Sequence, residues 1–312
     1  MKHIFIVNEN AGVEKERVKC VQAIRNICTT AEYDFEIYFT KTKEEAHDIA
    51  EEVSFTDPDA IIYSVGGDGT LNNIVNAISV YRTTIGIIPV GTGNDAYKSF
   101  VGQNFDVDIH LPRLLSVNKS EVTKHDLINV NKTIATNCVS TGLDAVACDN
   151  IKYFRKVPLL SSGMKYTLGA ALAIGANKNQ TLTTRDTRIT SEKARSVLKS
   201  SKLITREMCL IAVFNGEYYG SKYHMSPYSN TQDRRLNVVE ASPMNRLEII
   251  KLFGGINDGK HLYHDCVDTF EVIDYSIESE EPMVCNIDGE ISRTNKMNIS
   301  LHPAELKLRR PI

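Results

Sequence analysis

A glycine-rich loop early in the chain contains residue types suited to phosphate binding. It follows an apolar run at residues 60–65 and precedes apolar residues at helical spacing over 71–78. A strand, a glycine turn and the start of a helix place backbone N–H groups at the positive end of a helix dipole, where a phosphate binds. A tight turn whose glycines only permit positive φ is the alternative. The loop consists of Gly66, Gly67, Asp68, Gly69 and Thr70.

Asp68 favours the phosphate-binding interpretation of this loop over a simple turn. A carboxylate would repel a bare phosphate unless it positions a metal ion, a hydroxyl or a backbone group. A second glycine-rich loop, residues 91–95, follows the next apolar run. Neither loop has the G-x-x-x-x-G-K-[ST] of a P-loop, and no G-x-G-x-x-G follows the first strand. A Walker-type ATPase and an ordinary dinucleotide oxidoreductase are therefore disfavoured. A phosphate site without a loop lysine depends on positioning and on Mg²⁺.

An acidic turn at Asp288, Gly289 and Glu290 lies between two predicted strands. Asp-Gly between strands is also an ordinary hairpin signal, and the residues alone leave that interpretation open. Phosphoryl transfer needs a group that accepts the proton of the attacking hydroxyl, and a carboxylate can do so. The turn is therefore a candidate for the base.

The elements around these residues predict two domains. Strands alternate with helices over the first 110 residues, which predicts a parallel sheet covered on both faces. Ligands bind beyond the carboxyl ends of such strands, and four strand ends supply candidate contacts: Asn8, Thr40 and the two glycine loops. From about residue 120 strands dominate. We predict an α/β nucleotide-binding domain at 1–125 and a β-sandwich domain at 126–299.

Composition narrows the class of protein. The 312 residues are 42% hydrophobic and 24% charged, typical of a soluble globular protein. A net charge of −3 gives no support to nucleic-acid binding. Seven scattered cysteines without a C-x-x-C, no export-signal pattern and no long apolar run indicate a cytoplasmic protein that is at most peripheral at the membrane.

The two loops together, residues 66–72 and 89–95, resemble the catalytic domain of diacylglycerol kinases and their bacterial lipid-kinase and sphingosine-kinase relatives. A lone G-G-D-G-T is shared with NAD kinases, but the following P-V-G-T-G-N-D favours the lipid-kinase branch. The similarity extends to Asn8 and Gly12, to residues 137–145, and to the D-G-E of the acidic turn.

The resemblance implies that ATP binds in a cleft between an α/β domain and a β-sandwich, and that residues 300–312 return to the first domain. It implies that Asp288 is the general base, that Glu290 supports it, and that Asp68 acts near the γ-phosphate through Mg²⁺ or a backbone contact. Together with the strand ends, the predicted ATP-binding positions are Asn8, Thr40, Gly66, Gly67, Asp68, Gly69, Thr70, Leu71, Asn72, Gly91, Thr92, Asn94 and Asp95.

In bacterial relatives the resemblance includes a structural Mg²⁺ site, and this chain departs from the family's pattern there. The family's metal segment reads D-G-x-L-D, whereas this chain has Asp233 followed by Arg234 and Arg235. Asp233 would bind the metal, with Asn230 and Arg235 supplying backbone carbonyls. Two adjacent arginines oppose a cation electrostatically, and a solvated turn is the alternative.

Few features of the sequence indicate where a lipid acceptor would bind. An apolar helix over 159–174 is either core or part of an acyl-chain pocket; its buried candidates are Leu160, Met164, Leu168, Ala171 and Leu172. Three cations ahead of it, Lys152, Arg155 and Lys156, could contact anionic phospholipid or form a solvated basic face.

We therefore predict an ATP- and Mg²⁺-dependent lipid kinase that phosphorylates a diacylglycerol-like lipid at a membrane surface, in lipid metabolism and phospholipid biosynthesis. A homodimer is compatible with this prediction. A kinase for a soluble metabolite such as NAD is the enzymatic alternative. A nucleotide- or lipid-binding relative that has lost catalysis is the other, suggested by the altered residues at Ser221 and Arg234.

Overall fold

The structure, a computed structural model, describes residues 1–78, 80, 82–102, 104–154, 157, 160, 162–176, 178–189, 197–199, 203–220 and 223–312. Arg155, Lys156 and Ser221, singled out from the sequence, lie outside the described residues. The chain divides into two compact units. The first unit comprises Met1–His125 and Ala304–Ile312, and the second comprises Asp126–Pro303.

The first unit is built on a parallel sheet with the order β2-β1-β3-β4. The strands are β1 (His3–Asn8), β2 (Phe35–Thr40), β3 (Ile61–Gly66) and β4 (Thr84–Pro89), and the end of β14 (Glu290–Pro311) pairs in parallel with β4. The central strands are buried almost throughout, as expected for strands covered on both faces. This arrangement confirms the predicted α/β fold.

Helices α1 (Glu14–Thr30), α2 (Lys43–Thr56) and α3 (Asp68–Ala77) connect these strands, and α4 (Asp95–Val101) and α5 (Val107–Leu115) follow β4. A capping box between Thr42 and Glu45 begins α2 directly after β2. The core combines strand residues such as Phe5 and Tyr63 with apolar residues of α1 and α5. The glycine loops thus sit between buried strands and helix starts.

Two buried histidines should make the stability of the first unit depend on pH. His3 contacts the Tyr63 hydroxyl at 2.9 Å, and His125 contacts the Thr123 hydroxyl at 2.8 Å. Burial, with a smaller effect of a nearby arginine, lowers the pKa of each histidine from 6.5 to about 4. The unfolded chain therefore binds protons that the folded chain does not as pH falls below 6.5.

We expect the free energy of unfolding to fall between about pH 6.5 and pH 4, with a limiting slope of about 1.4 kcal/mol per pH unit for each histidine. Urea unfolding at several pH values measures the slope. His125→Gln should reduce it, whereas His47→Gln, at an exposed site, should leave it unchanged. Equal slopes in the wild type and His125→Gln would contradict the expectation.

The second unit is an antiparallel β-rich domain, as predicted. Its strands follow the order β12-β11-β7-β13-β14, and β12 also pairs with the first part of β13, so the sheet folds back on itself. The ranges are β5 (Ser120–Val130), β6 (Thr133–Ala135), β7 (Cys138–Gly142), β8 (Gln180–Ile189), β9 (Val197–Lys199), β10 (Ile204–Met208), β11 (Leu210–Phe214), β12 (Leu236–Ala241) and β13 (Val267–Ile287).

Three helices cover part of this unit: α6 (Leu143–Asn150), α7 (Ser162–Ala176) and α8 (Arg246–Gly254). The predicted buried face of α7 is wrong. Met164, Leu168 and Leu172 are exposed, and Tyr166, Ala170 and Ala173 are the buried residues instead. The helix is apolar all round, so hydrophobicity alone does not identify its inner face, and the smaller residues fit closer to the neighbouring helix.

Candidate functional site

A cavity of about 330 Å³ lies at the carboxyl ends of the parallel strands of the first unit. It is open to a ligand where the strand-end argument predicts one. Predicted positions on its wall are Asn8, Gly67, Gly69, Thr70, Gly91 and Thr92. Residues that the sequence analysis did not assign to ATP also line it: Asn10, Ala11, Gly12, Lys41, Thr42, Lys43, Ala46 and Asn73.

The two glycine loops are joined by their backbones. The N–H groups of Val90 and Gly91 donate to the Gly66 carbonyl at 3.0 and 3.1 Å. A Cβ at position 91 would lie 2.5 Å from the Cα of Gly67, so only glycine allows this approach. Gly69 differs, because a Cβ there would meet no heavy atom within 4 Å. The space beside Gly69 is therefore available to a ligand.

Asp68 connects the two loops through its side chain. It is the first residue of α3, and its Oδ1 accepts a hydrogen bond from the Ala96 N–H, in the first turn of α4, at 3.0 Å. A carboxylate at a helix N-terminus is favourable to the helix dipole. Asp68 thus has a structural contact within the first unit, in the first turn of α3.

The other predicted ATP positions frame the cavity without lining it. Asn94 adopts a left-handed conformation and donates to the Gly91 carbonyl at 2.8 Å. Asp95 lies 3.8 Å from the Lys98 ammonium. Thr40 is buried and donates to the Val7 carbonyl at 3.3 Å. The remaining positions, Gly66, Leu71 and Asn72, are also buried, Leu71 as part of the core.

Lys41 and Lys43 supply the positive charge that the glycine loops lack. Both line the cavity, directly after β2 and at the start of α2. Lys41 lies only 3.8 Å from Glu9 and remains largely exposed, so its ammonium can reach a ligand. The ATP-binding positions predicted from the sequence include Thr40, at the end of β2, but not these two lysines. Extending the strand-end argument by one turn into the capping box would have included both lysines.

The acidic turn of the second unit joins β13 to β14. Asp288 and Gly289 have φ values of 48° and 93°, the left-handed pair that a two-residue hairpin requires. Residues 136–138 donate four hydrogen bonds to the Asp288 carboxylate: from the Thr136 N–H at 2.5 Å, the Thr136 hydroxyl at 2.8 Å, the Asn137 N–H at 3.0 Å and the Cys138 N–H at 2.9 Å. These donors fix its orientation. Glu290, at the start of β14, is exposed.

A buried polar network is hydrogen-bonded to this turn. Asn286 is fully buried; its Oδ1 accepts from the Gly289 N–H at 2.8 Å, and its Nδ2 donates to the Tyr219 hydroxyl at 2.5 Å. Tyr219 and Tyr166 donate to the two oxygens of Asp144 at 3.1 and 2.8 Å. Burial raises the pKa of the Asp144 carboxyl, although its hydroxyl donors oppose the shift. Sequence patterns did not link these residues.

The predicted Mg²⁺ segment places two carboxyls against one turn. Asp126 accepts from the Arg234 N–H at 2.7 Å and Asp233 from the Arg235 N–H at 3.0 Å. Burial raises the pKa of Asp233 to about 6, with a smaller contribution from the Glu271 carboxylate. Carboxylates whose negative charge is not balanced by nearby cations are suitable ligands for a hard cation such as Mg²⁺. Within the described ranges no three His, Cys, Asp or Glu side chains surround a metal position, so an ion here would depend on backbone carbonyls as well.

We expect Mg²⁺ to raise the melting temperature of the wild type and to leave that of Asp233→Asn unchanged, because the variant loses the carboxylate that was predicted to bind the metal. A thermal shift series in Mg²⁺ measures this without a kinase assay. Asp268→Asn, at an exposed position, is the matched control and should keep the response. An identical Mg²⁺ response in both variants would place the ion elsewhere or leave only a solvated turn.

Comparisons with known proteins extend over both units. Residues 2–130 match the diacylglycerol kinase catalytic domain, and residues 137–310 match the YegS C-terminal NAD kinase beta sandwich-like domain. A Staphylococcus aureus (strain MSSA476) protein, provisionally named a lipid kinase, is 25% identical over 257 residues, which are 80% of this chain and 76% of the relative.

Solved structures share the fold. A Bacillus anthracis protein, described provisionally as a diacylglycerol kinase, superposes with a TM-score of 0.76 at 22% identity, covering 98% of this chain and 96% of that chain. Another Bacillus anthracis structure, titled as a diacylglycerol kinase, gives a TM-score of 0.67 at 19% identity with the same coverage.

An α/β unit with a glycine-lined cavity and an antiparallel β-rich unit with an acidic turn define a two-domain kinase. The chain belongs to the diacylglycerol kinase-like family of lipid kinases, because the two matched domains together span almost its whole length. This membership confirms the resemblance inferred from the two glycine loops.

Proposed function

We propose that this protein is an ATP- and Mg²⁺-dependent kinase that transfers the γ-phosphate of ATP to the hydroxyl of a diacylglycerol-like lipid. The observation that carries the proposal is the cavity at the strand ends, with open space beside Gly69 and two lysines on its wall. The first turn of α3 forms the positive end of the helix dipole, and it would meet the phosphates of ATP there.

Lys41 and Lys43 would neutralise part of the triphosphate charge, and Mg²⁺, when bound with ATP, would neutralise charge that develops on the transferred group. Asp68, the first residue of α3, would be the carboxylate that holds such an ion. Its Oδ1 accepts a hydrogen bond from the Ala96 N–H, which fixes the side chain between the two glycine loops.

Asp288 would accept the proton of the lipid hydroxyl as that oxygen attacks the γ-phosphorus. A carboxylate has about four lone-pair positions, and four donors already contact this one. Three of the donors are fixed backbone N–H groups, whereas the Thr136 hydroxyl can rotate. The proposed proton acceptor is therefore Oδ2, after the Thr136 hydroxyl turns away. Glu290 would support the charge of this turn.

A parallel assay tests the substrate class. The protein is incubated with γ-labelled ATP and Mg²⁺ in the presence of a total lipid extract, of purified diacylglycerol, or of NAD. We expect label in a lipid phosphomonoester and none in the NAD sample. Label in NADP instead would support the soluble-metabolite kinase, and ATP binding without any transfer would support a relative that has lost catalysis.

A further inference from the structure

Helix α7 exposes an apolar stripe to solvent. Met164, Leu168 and Leu172 follow one another at i, i+4 and i+8, and they are 52%, 37% and 49% exposed. Residues spaced in this way lie on one face of a helix. Exposing three large apolar side chains in a row is unfavourable in water, and a patch of this kind marks an interaction surface.

The charge around α7 indicates what this surface meets. The helix contains no acidic residue. Lys165 lies next to Met164 on the helix, and the exposed Lys178 follows its end. A helix face that combines exposed aliphatic side chains with cations fits the interface of an anionic bilayer, where the aliphatic groups reach the acyl chains and the cations reach the headgroup phosphates.

Helix α8 also exposes aliphatic side chains beside cations, and its one acidic residue, Glu248, accepts a hydrogen bond from the N-cap Asn245 N–H at 2.8 Å. It packs against α7, with Ile174 of α7 in one apolar cluster with Ile249 of α8. Its outer residues Leu247 and Ile250 are 71% and 56% exposed. The exposed cations Arg246 and Lys251 flank them. Two neighbouring helices therefore each combine outward aliphatic side chains with cations.

We propose that the α7–α8 face, defined by Met164, Leu168, Leu172, Leu247 and Ile250, docks on an anionic lipid bilayer. The aliphatic side chains enter the boundary between headgroups and acyl chains, and the four cations contact the headgroup phosphates. This surface rests on the proposed function in one respect: a lipid acceptor explains why a kinase would need it. Its occupant is the membrane surface, and not a protein.

The inner face of α7 gives this docking a direct structural connection to the acidic turn. Tyr166 donates to Asp144, and Asp144 is linked through Tyr219 and Asn286 to the N–H of Gly289. A lipid-bound α7 is thus anchored by hydrogen bonds to the turn that carries Asp288. The docking helix and the proposed base belong to one hydrogen-bonded assembly within the second unit.

Vesicle binding tests the proposal without a kinase assay. Sedimentation with vesicles of phosphatidylcholine and phosphatidylglycerol is compared for wild type, Leu168→Glu, Leu168→Lys and Phe55→Glu. Phe55 is an exposed apolar residue of the first unit and serves as the matched control. We expect Leu168→Glu to bind on the order of 10-fold more weakly, Leu168→Lys to lose less, and Phe55→Glu to bind like the wild type.

Activity on two forms of substrate separates this proposal from the proposed function. Leu168→Glu should phosphorylate a monomeric short-chain diacylglycerol as the wild type does and lose transfer to diacylglycerol in vesicles. If the wild type phosphorylates no lipid but still binds vesicles through Leu168, the kinase proposal fails and the docking proposal stands. Unchanged vesicle binding by Leu168→Glu overturns the docking proposal. So does conversion of a wild-type dimer to a monomer by Leu168→Glu with vesicle binding retained, because the face would then join two copies.

Discussion

Asp288→Asn is expected to lower kcat by about 10²–10⁴-fold, the usual contribution of a general base. The amide that replaces the carboxylate cannot accept a proton from the lipid hydroxyl. ATP affinity should stay unchanged, because the cavity proposed to bind ATP is lined by residues of the first unit. Initial rates with diacylglycerol and a direct measurement of ATP binding separate the two effects.

The amide also exchanges one acceptor for a donor opposite backbone N–H groups, which costs stability in the turn. The unfolding midpoint of Asp288→Asn therefore has to be measured beside its activity. Asp274→Asn, at an exposed site on the same strand, is the matched control and should keep full kcat. Near-normal turnover by folded Asp288→Asn would show that another group takes the proton.

Gly69→Ala is expected to weaken ATP binding by about 10- to 100-fold, the effect of losing one hydrogen bond to a charged group. A methyl group at this position would occupy the space left open beside the first turn of α3, where it would meet no heavy atom within 4 Å apart from its chain neighbours and the backbone of its own helix. The protein itself should be unharmed, since alanine is favoured over glycine in a helix by up to about 1 kcal/mol.

Gly175→Ala is the control for this experiment. Gly175 also lies within a helix, α7, and a Cβ there would likewise meet no heavy atom within 4 Å. Isothermal titration with ATP, together with urea unfolding of both variants, gives affinity and stability separately. Equal ATP affinity in wild type and Gly69→Ala would mean that the phosphates do not approach α3.

Much of the first unit could be predicted from the sequence, because the strand, loop and helix that form the site are neighbours along the chain. Residues 61–66 form a buried strand, Gly67 follows as the helix N-cap, and α3 begins at Asp68, so strand, loop and helix are contiguous in the sequence. The lysines of the cavity were missed for a different reason. They follow a strand end by only one to three residues, but charged residues at a helix start are usually solvated, and only the fold shows that this helix start faces the cavity.

The surroundings of Asp288 could not be read from the sequence. Its four donors belong to residues 136–138, about 150 positions earlier, and they meet the turn because β7 pairs with the end of β13. Asn286 and Asp144 are equally distant in the chain and are joined by the same pairing. The hairpin signal predicted a turn there, whereas the tertiary structure decided what the carboxylate contacts.

For helix α7, too, the sequence predicted the element, and the tertiary structure decided its contacts. Its apolar composition predicted a helix, and the sequence analysis placed Met164, Leu168 and Leu172 inside it because apolar helices are usually core. Exposure depends on which neighbouring element covers a face, and α6 and α8 cover the side with Tyr166 and Ala170. By itself, the sequence determined the α/β and β-rich fold classes, the two glycine loops and the family, because each can be recognised from short contiguous segments of the chain. Only the tertiary structure decided which charges line the cavity, what holds Asp288 and which face of α7 meets water, because those contacts join residues far apart in the chain.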